Sequence, residues 1–363
     1  MRSRLPGVTD LARAAARLLT VGFAGKTVDA ELARLLAAGV GGAVLFSRNV
    51  GEPGEVAELT AELKRQAGEP LVVAVDQEGG SVARLRAGFT PLPAFRALGD
   101  AGDPELARAV GRVVGAELRA VGIDWNFAPV LDVDTNPANP VIGARSLGRD
   151  PERVAELGTA FARGLLDAGV APCGKHFPGH GDTHQDSHHE LPRLPHPLER
   201  LDRVELVPFA RAVAAGLPAL MTAHIVFEAI DREQPASLSP RVLGELLRGR
   251  LGFAGVVVTD DLDMRAIADH YAIEDVAVRA LDAGVDALLV CQNPELAWRA
   301  IDAIVRAVQS GRLSEATLRA ATSRLDAFRA RFALPAASAP DLGVLGSEPH
   351  RAVLERLRER AGA

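Results

Sequence analysis

Val256-Val-Val-Thr-Asp-Asp-Leu-Asp-Met264 is a β-branched run that ends abruptly in carboxylates. Three successive valines with no polar alternation suit a strand buried on both faces, as in a parallel sheet. Helical periodicity lies on either side, at 240–250 and 274–283. Seven further runs repeat the arrangement: Leu19–Phe23, Gly42–Phe46, Leu71–Val75, Trp125–Leu131, Val170–Cys173, Ala219–Thr222 and Ala287–Val290. The remaining helical patterns fall near 28–38, 54–67, 104–120, 151–168, 198–215 and 294–310. Asp150-Pro151 and Ser239-Pro240 supply helix starts, and Gly39, Gly122, Gly169, Gly216 and Gly284 supply stops. Eight strand–helix units in about 300 residues predict an α/β fold, a (β/α)8 TIM-type barrel. A doubly wound sheet would need a glycine-rich phosphate turn after its first strand, and Gly22-Phe-Ala-Gly25 is too short for one.

A barrel of this kind works at the C-terminal ends of its strands. The residues just past the apolar runs are Arg48, Asp76, Asp132 and Asp134, Lys175 and His176, His224, Asp260 and Asp261, and Cys291. Nearly every strand therefore delivers a polar or reactive group to one rim. A carboxylate at the mouth of a buried strand is desolvated on one side, as a nucleophile should be. One member of the Asp260–Asp261 pair can cap the following helix and leave the other for chemistry.

The richest polar segment is Cys173-Gly-Lys-His-Phe-Pro-Gly-His-Gly-Asp-Thr-His-Gln-Asp-Ser-His-His-Glu-Leu-Pro192, with five of the nine histidines. It reads as a loop that performs chemistry. Its lysine is one of only three in the chain, with Lys26 and Lys64. Chemistry alone leaves three readings open. The His184–His189 cluster could ligate a transition metal. Asp186 and His188 could form a dyad in which the carboxylate orients an imidazole acting as general acid and base. The histidines could also simply brace the loop. Asp76, before Gln-Glu-Gly-Gly80, sits where backbone can turn tightly and a ligand can approach; Arg84, Arg86 and Arg145 are the nearby cations.

Composition sets bounds. Of 363 residues, 48% are hydrophobic and 24% charged, with a net charge of −6. That balance gives no electrostatic case for nucleic acid or an anionic membrane. Cys173 and Cys291 alone imply no disulfide framework and favour a reducing compartment. Arg13 and Arg17 interrupt what would be the apolar run of a leader, so a cytoplasmic location is expected.

Taken together, the motifs resemble those of bacterial β-N-acetylhexosaminidases of glycoside hydrolase family 3. The specific part is Lys175-His-Phe-Pro-Gly-His-Gly-Asp-Thr followed by Asp186-Ser-His188. Asp76-Gln-Glu-Gly-Gly, Asn126-Phe-Ala-Pro-Val-Leu-Asp132-Val, Arg145-Ser and Thr259-Asp-Asp-Leu-Asp-Met264 support it, in the family's order, over roughly residues 15–330. Ser81 departs from the pattern, where many members carry arginine. The resemblance implies a retaining mechanism through a covalent glycosyl-enzyme. It implies Asp260 as nucleophile, His188 with Asp186 as acid/base, and Asp76, Arg84, Arg145, Lys175 and His176 as sugar-binding residues, with no metal or other cofactor. The implied substrate is a small glycan with terminal β-linked N-acetylglucosamine, from cell-wall (peptidoglycan) recycling or chitin. The alternatives are a phosphorylase or β-glucosidase of the same family, a metal-dependent hydrolase and a non-catalytic sugar-binding barrel. The expected organisation is a catalytic barrel over 1–333, a linker over 334–347 and a C-terminal helix over 348–363, a possible remnant of a second domain, in a monomer.

Overall fold

The computed structural model describes residues 8–187, 190–336 and 341–362. Eight parallel strands close into a barrel: β1 (Leu19–Val21), β2 (Gly42–Leu45), β3 (Val72–Val75), β4 (Trp125–Asn126), β5 (Ala171–Phe177), β6 (Ala219–Thr222), β7 (Val256–Asp261) and β8 (Ala287–Val290). Each pairs with its neighbours in sequence, and β1 closes on β8 with Leu19 opposite Leu288. The predicted (β/α)8 architecture is therefore present, and the apolar runs lie at the barrel wall. Their side chains are almost entirely buried, from Leu19 through Val73 and Val257 to Leu288. Closure leaves the barrel sheet no exposed edge, and burial on both strand faces explains why the runs do not alternate.

The helices follow the predicted positions closely, for example Pro104–Ala120, Pro151–Asp167 and Pro294–Gln309. Asp150 caps the second of these by accepting from the amides of Glu152 and Arg153. All five predicted stop glycines have positive φ, a conformation their missing Cβ permits. Two segments differ. The single helix expected over 198–215 is split into Leu198–Arg203 and Leu206–Ala214, and Arg241–Arg250 winds as a π-helix.

Two barrel strands carry one extra residue near their C-terminal ends. In β5, Gly174 faces Leu220 and Phe177 faces Thr222; in β7, Val258 faces Ala287 and Asp261 faces Leu289. Three residues thus span the space of two. A bulge breaks the strict in–out alternation and re-aims side chains. The fifth strand also runs farther than its apolar part, so Lys175 and His176 belong to the barrel wall and not to the loop predicted from their polarity. The fourth strand is shorter than the predicted 125–131: regular pairing stops at Asn126, and only Val130 bridges to Lys175 beyond it.

At the opposite face, buried carboxylates fasten strand starts. Asp124 takes the Val73 amide and the Lys64 ammonium, and Asp286 takes the Val257 amide with Arg248 and Arg324. The helix Glu348–Ala361 lies along Phe95–Ala101 and Pro104–Ala120, burying Leu354 and Leu357. Buried Glu117 receives the Gly346 amide and His350 there.

Candidate active site

The C-terminal ends of the strands surround a cavity of about 220 Å³. Asp76, Arg84, Arg145, Lys175, His176 and Asp260 all line it. The sequence places these residues up to 184 positions apart, and the barrel brings them together. The two bulges explain a local oddity. Lys175 and His176 are adjacent, as are Asp260 and Asp261, yet both members of each pair reach the cavity. Regular strands would send alternate residues to opposite faces.

One wall is a buried ion cluster. The Lys175 ammonium donates to Asp76 at 2.6 Å and contacts Glu78 at 2.7 Å. Arg145 grips Glu78 with both arms, Nε to Oε2 at 2.9 Å and Nη2 to Oε1 at 2.8 Å. Arg84 reaches Asp76 at 3.4 Å and lies over the Phe46 ring. Burial pushes the Glu78 carboxyl up, but Lys175 and Arg145 outweigh it and hold its pKa at about 2. Burial likewise opposes the Lys175 charge, and Asp76 and Glu78 raise its pKa above the ordinary lysine value. The Arg145–Glu78 ion pair is mostly buried.

Glu78 did not stand out as a site residue in the sequence. It is 3% exposed and holds two substrate-binding candidates at once. Its signal was the second acid in Asp76-Gln-Glu, carried on a small hairpin of Gln77–Gly79 with Val82–Ala83. Gln77 fixes that hairpin, accepting from the Arg84 and Leu85 amides and donating to the Leu85 carbonyl.

Asp132 is a second hub. Its Oδ1 accepts the amides of His176 at 3.1 Å and His180 at 2.7 Å, and its Oδ2 lies 2.7 Å from His176 Nδ1. A carboxylate only accepts, so His176 carries its proton on Nδ1. Burial raises the Asp132 pKa, yet the charge of His176 and these bonds hold it below the ordinary carboxyl value. The histidine segment is strapped down further on: Asn139 donates to the His180 carbonyl and Asn136 to that of Thr183. His180 is bonded through both ring nitrogens, to Thr183 and Ser187 at 2.9 Å each, and burial drives its pKa to about 4. It braces the loop as a neutral ring. Gly181 lies so close to Val133 that an added Cβ would sit 1.8 Å from the carbonyl oxygen, a packing reason for that glycine. Asp186 is half-buried just before Ser187, and its carbonyl accepts the Glu190 amide. His188 lies outside the described residues. Among the described residues, no group of three His, Cys, Asp or Glu is placed to hold a metal ion.

The paired aspartates divide their work. Asp261 Oδ1 accepts the amides of Asp263 and Cys291, bracing the turn and the end of β8; the next helix is preceded by Met264 instead. Burial and neighbouring Asp263 push the Asp261 carboxyl up to about 7. Asp260 takes the Asp261 amide on Oδ1 and faces the cavity. Burial works against its charge, but His176, the Asp261 amide and Lys175 outweigh it and keep the carboxylate ionised.

An ionised, desolvated carboxylate facing a concave site rich in hydrogen-bonding charges, at the mouth of an α/β barrel, suits a glycoside hydrolase. The chain belongs to glycosyl hydrolase family 3, whose N-terminal domain matches residues 11–327. A β-hexosaminidase from Thiobacillus denitrificans is 47% identical over 264 residues, 71% of this chain and 73% of that one. The solved family 3 β-N-acetylglucosaminidase of a Paenibacillus species superposes with a TM-score of 0.92 at 46% identity, covering 97% of this chain and 68% of the other. NagZ from Neisseria gonorrhoeae, in complex with N-trifluoroacetyl-D-glucosamine, gives a TM-score of 0.79 at 35% identity, covering 95% and 98%. No helix among the described residues is long and apolar enough to cross a membrane.

Proposed function

We propose that this chain is a retaining β-N-acetylglucosaminidase that removes terminal β-linked N-acetylglucosamine from cell-wall-derived or chitin-type oligosaccharides. The observation that carries the reading is Asp260, ionised at the end of a bulged strand and facing a cavity walled by Asp76, Arg145, Lys175 and His176. The relatives named for the same activity support it.

In the first step the Asp260 carboxylate attacks the anomeric carbon and the glycosidic bond breaks. The leaving oxygen takes a proton from His188, which Asp186 orients. In the second step water gives its proton to His188 and attacks the same carbon, releasing the sugar with retained configuration. A histidine suits this exchange because its ordinary pKa lies near neutrality. Asp76, with Lys175 and Arg84 against its two oxygens, accepts sugar hydroxyl protons; Arg145 and His176 complete the grip. Glu78 and Asp132 position those binders. The substrate belongs to cytoplasmic recycling, and the catalytic barrel lies within residues 1–333, ahead of the helix Glu348–Ala361.

The test is nitrophenol release from the aryl β-N-acetylglucosaminide, beside the β-glucoside, in buffer with EDTA. Preferential turnover of the acetylated sugar is expected. Silence on both, reversed by zinc, would replace this mechanism with a metal-dependent one.

A further inference from the structure

The ladder between β7 and β6 ends at Val258, opposite Met221, two residues before Asp260. Past that point the bulge frees β7 from the regular hydrogen bonding that would fix a strand. A nucleophile nevertheless has to be aimed, since a displacement of about 1 Å can lower the rate roughly a hundredfold. On the β8 side, Leu262 donates to the Leu289 carbonyl, the Leu289 amide donates to Thr259 Oγ1, and Asp261 takes the Cys291 amide. On the β6 side, the contact comes from a side chain. His224, two residues beyond β6 and fully buried, places Nε2 3.1 Å from the Asp261 carbonyl oxygen. Its Nδ1 lies 2.8 Å from Ser237 Oγ.

This geometry settles the tautomer. A carbonyl oxygen can only accept, so His224 carries a proton on Nε2 and donates it to Asp261. A neutral ring then has its lone pair on Nδ1, where the Ser237 hydroxyl donates. Ser237 is also fully buried, within the short 3-10 turn Ala236–Leu238. The Asp261 residue so held donates its own amide to Asp260 Oδ1 at 2.9 Å.

We infer that Ser237 and His224 form a positioning relay for the nucleophile: the serine anchors the ring at Nδ1, the ring holds the Asp261 main chain, and the Asp261 amide sets the Asp260 carboxylate. The inference rests on the assignment of Asp260 as nucleophile. His224 lies behind the cavity wall and acts through the backbone, so it is a positioning residue and not a catalytic one. Its removal slows attack by Asp260 while leaving the sugar contacts of Asp76, Arg145 and Lys175 in place.

The experiment is covalent labelling with 5-fluoro-N-acetylglucosaminyl fluoride, followed by intact mass and peptide mapping. An Asp260 oxygen bonds to the anomeric carbon as the carbon–fluorine bond breaks and fluoride departs with its electron pair. Label on Asp260 in the wild type supports the underlying assignment; label on another residue, or none, overturns assignment and relay together. With Asp260 labelled, H224A should lower the maximal labelling rate about 30- to 100-fold with an unchanged inhibition constant. H224Q, which keeps an N–H donor near the Nε2 position, should recover to within about fivefold. S237A should lose roughly three- to tenfold in the same rate constant. Equal labelling rates in wild type, H224A and S237A would overturn the relay. So would a loss that appears mainly in the inhibition constant, which would mark general loosening of the site. Should H224A not fold, S237A decides: an unchanged rate rejects the relay.

Discussion

Replacing Glu78 by glutamine keeps its shape and removes its charge, leaving Lys175 and Arg145 with one buried carboxylate fewer. The loss can be sized from proton affinity. Glu78 falls from an ordinary 4.5 to about 2 in the folded protein, which at about 1.4 kcal/mol for each tenfold is roughly 3 kcal/mol. Glutamine imitates the protonated carboxyl, so E78Q should lose a similar amount. The range for breaking a buried ion pair from one side, about 3–5 kcal/mol, agrees. The sign fixes the pH window. A folded pKa depressed below the unfolded one contributes fully above about pH 4.5 and fades as pH falls toward 2. Guanidinium unfolding of both proteins should therefore show a gap of about 3 kcal/mol at pH 7 that narrows steadily below pH 4.5. Because Glu78 splints Arg145, the KM for the aryl N-acetylglucosaminide should rise as well. A gap under about 1 kcal/mol at pH 7, or one that does not narrow in acid, would refute the reasoning.

Other outcomes follow from the remaining groups. D260N should abolish turnover yet still bind N-acetylglucosamine by calorimetry; normal turnover would remove Asp260 from the mechanism. H188A should slow substrates with poor leaving groups far more than activated aryl glycosides, because only the former need protonation; equal losses would argue against the acid role. Asp261 has a raised folded pKa, so ionising it opposes folding as pH rises from about 4 through 7. D261N should accordingly be more stable than wild type at pH 8, with the gap closing below pH 4; a constant offset across that range would contradict the assigned cause. L354A should lose about 2–5 kcal/mol in denaturant unfolding, since Leu354 is fully packed beneath the C-terminal helix; a change under about 1 kcal/mol would mean the helix contributes little to the barrel.

The fold was legible because strands of a closed parallel barrel are buried on both faces, which leaves an apolar run in each of the eight. The strand-end rule then located Asp76, Lys175, His176 and Asp260 one strand at a time. It could not indicate which acid meets which base: Glu78 and Arg145 are 67 positions apart, and their pairing depends on the hairpin held by Gln77. The polarity of Lys175 and His176 predicts a loop, because polar side chains normally face solvent. Here each buried charge has a partner from another strand end, which satisfies it without water. The bulges leave no mark in the sequence for a related reason, since an extra residue in a strand changes pairing but not composition. His224 was visible as a rim residue, whereas the anchoring of its ring depends on Ser237, thirteen positions on.

The strapping of the histidine segment has a consequence for anyone exchanging specificity between relatives. Asp132, Asn136 and Asn139 reach across to His176, His180 and Thr183. The transplantable cassette is therefore a pair of segments, about 132–148 together with 176–192. A graft that moves only the second would arrive without its mooring.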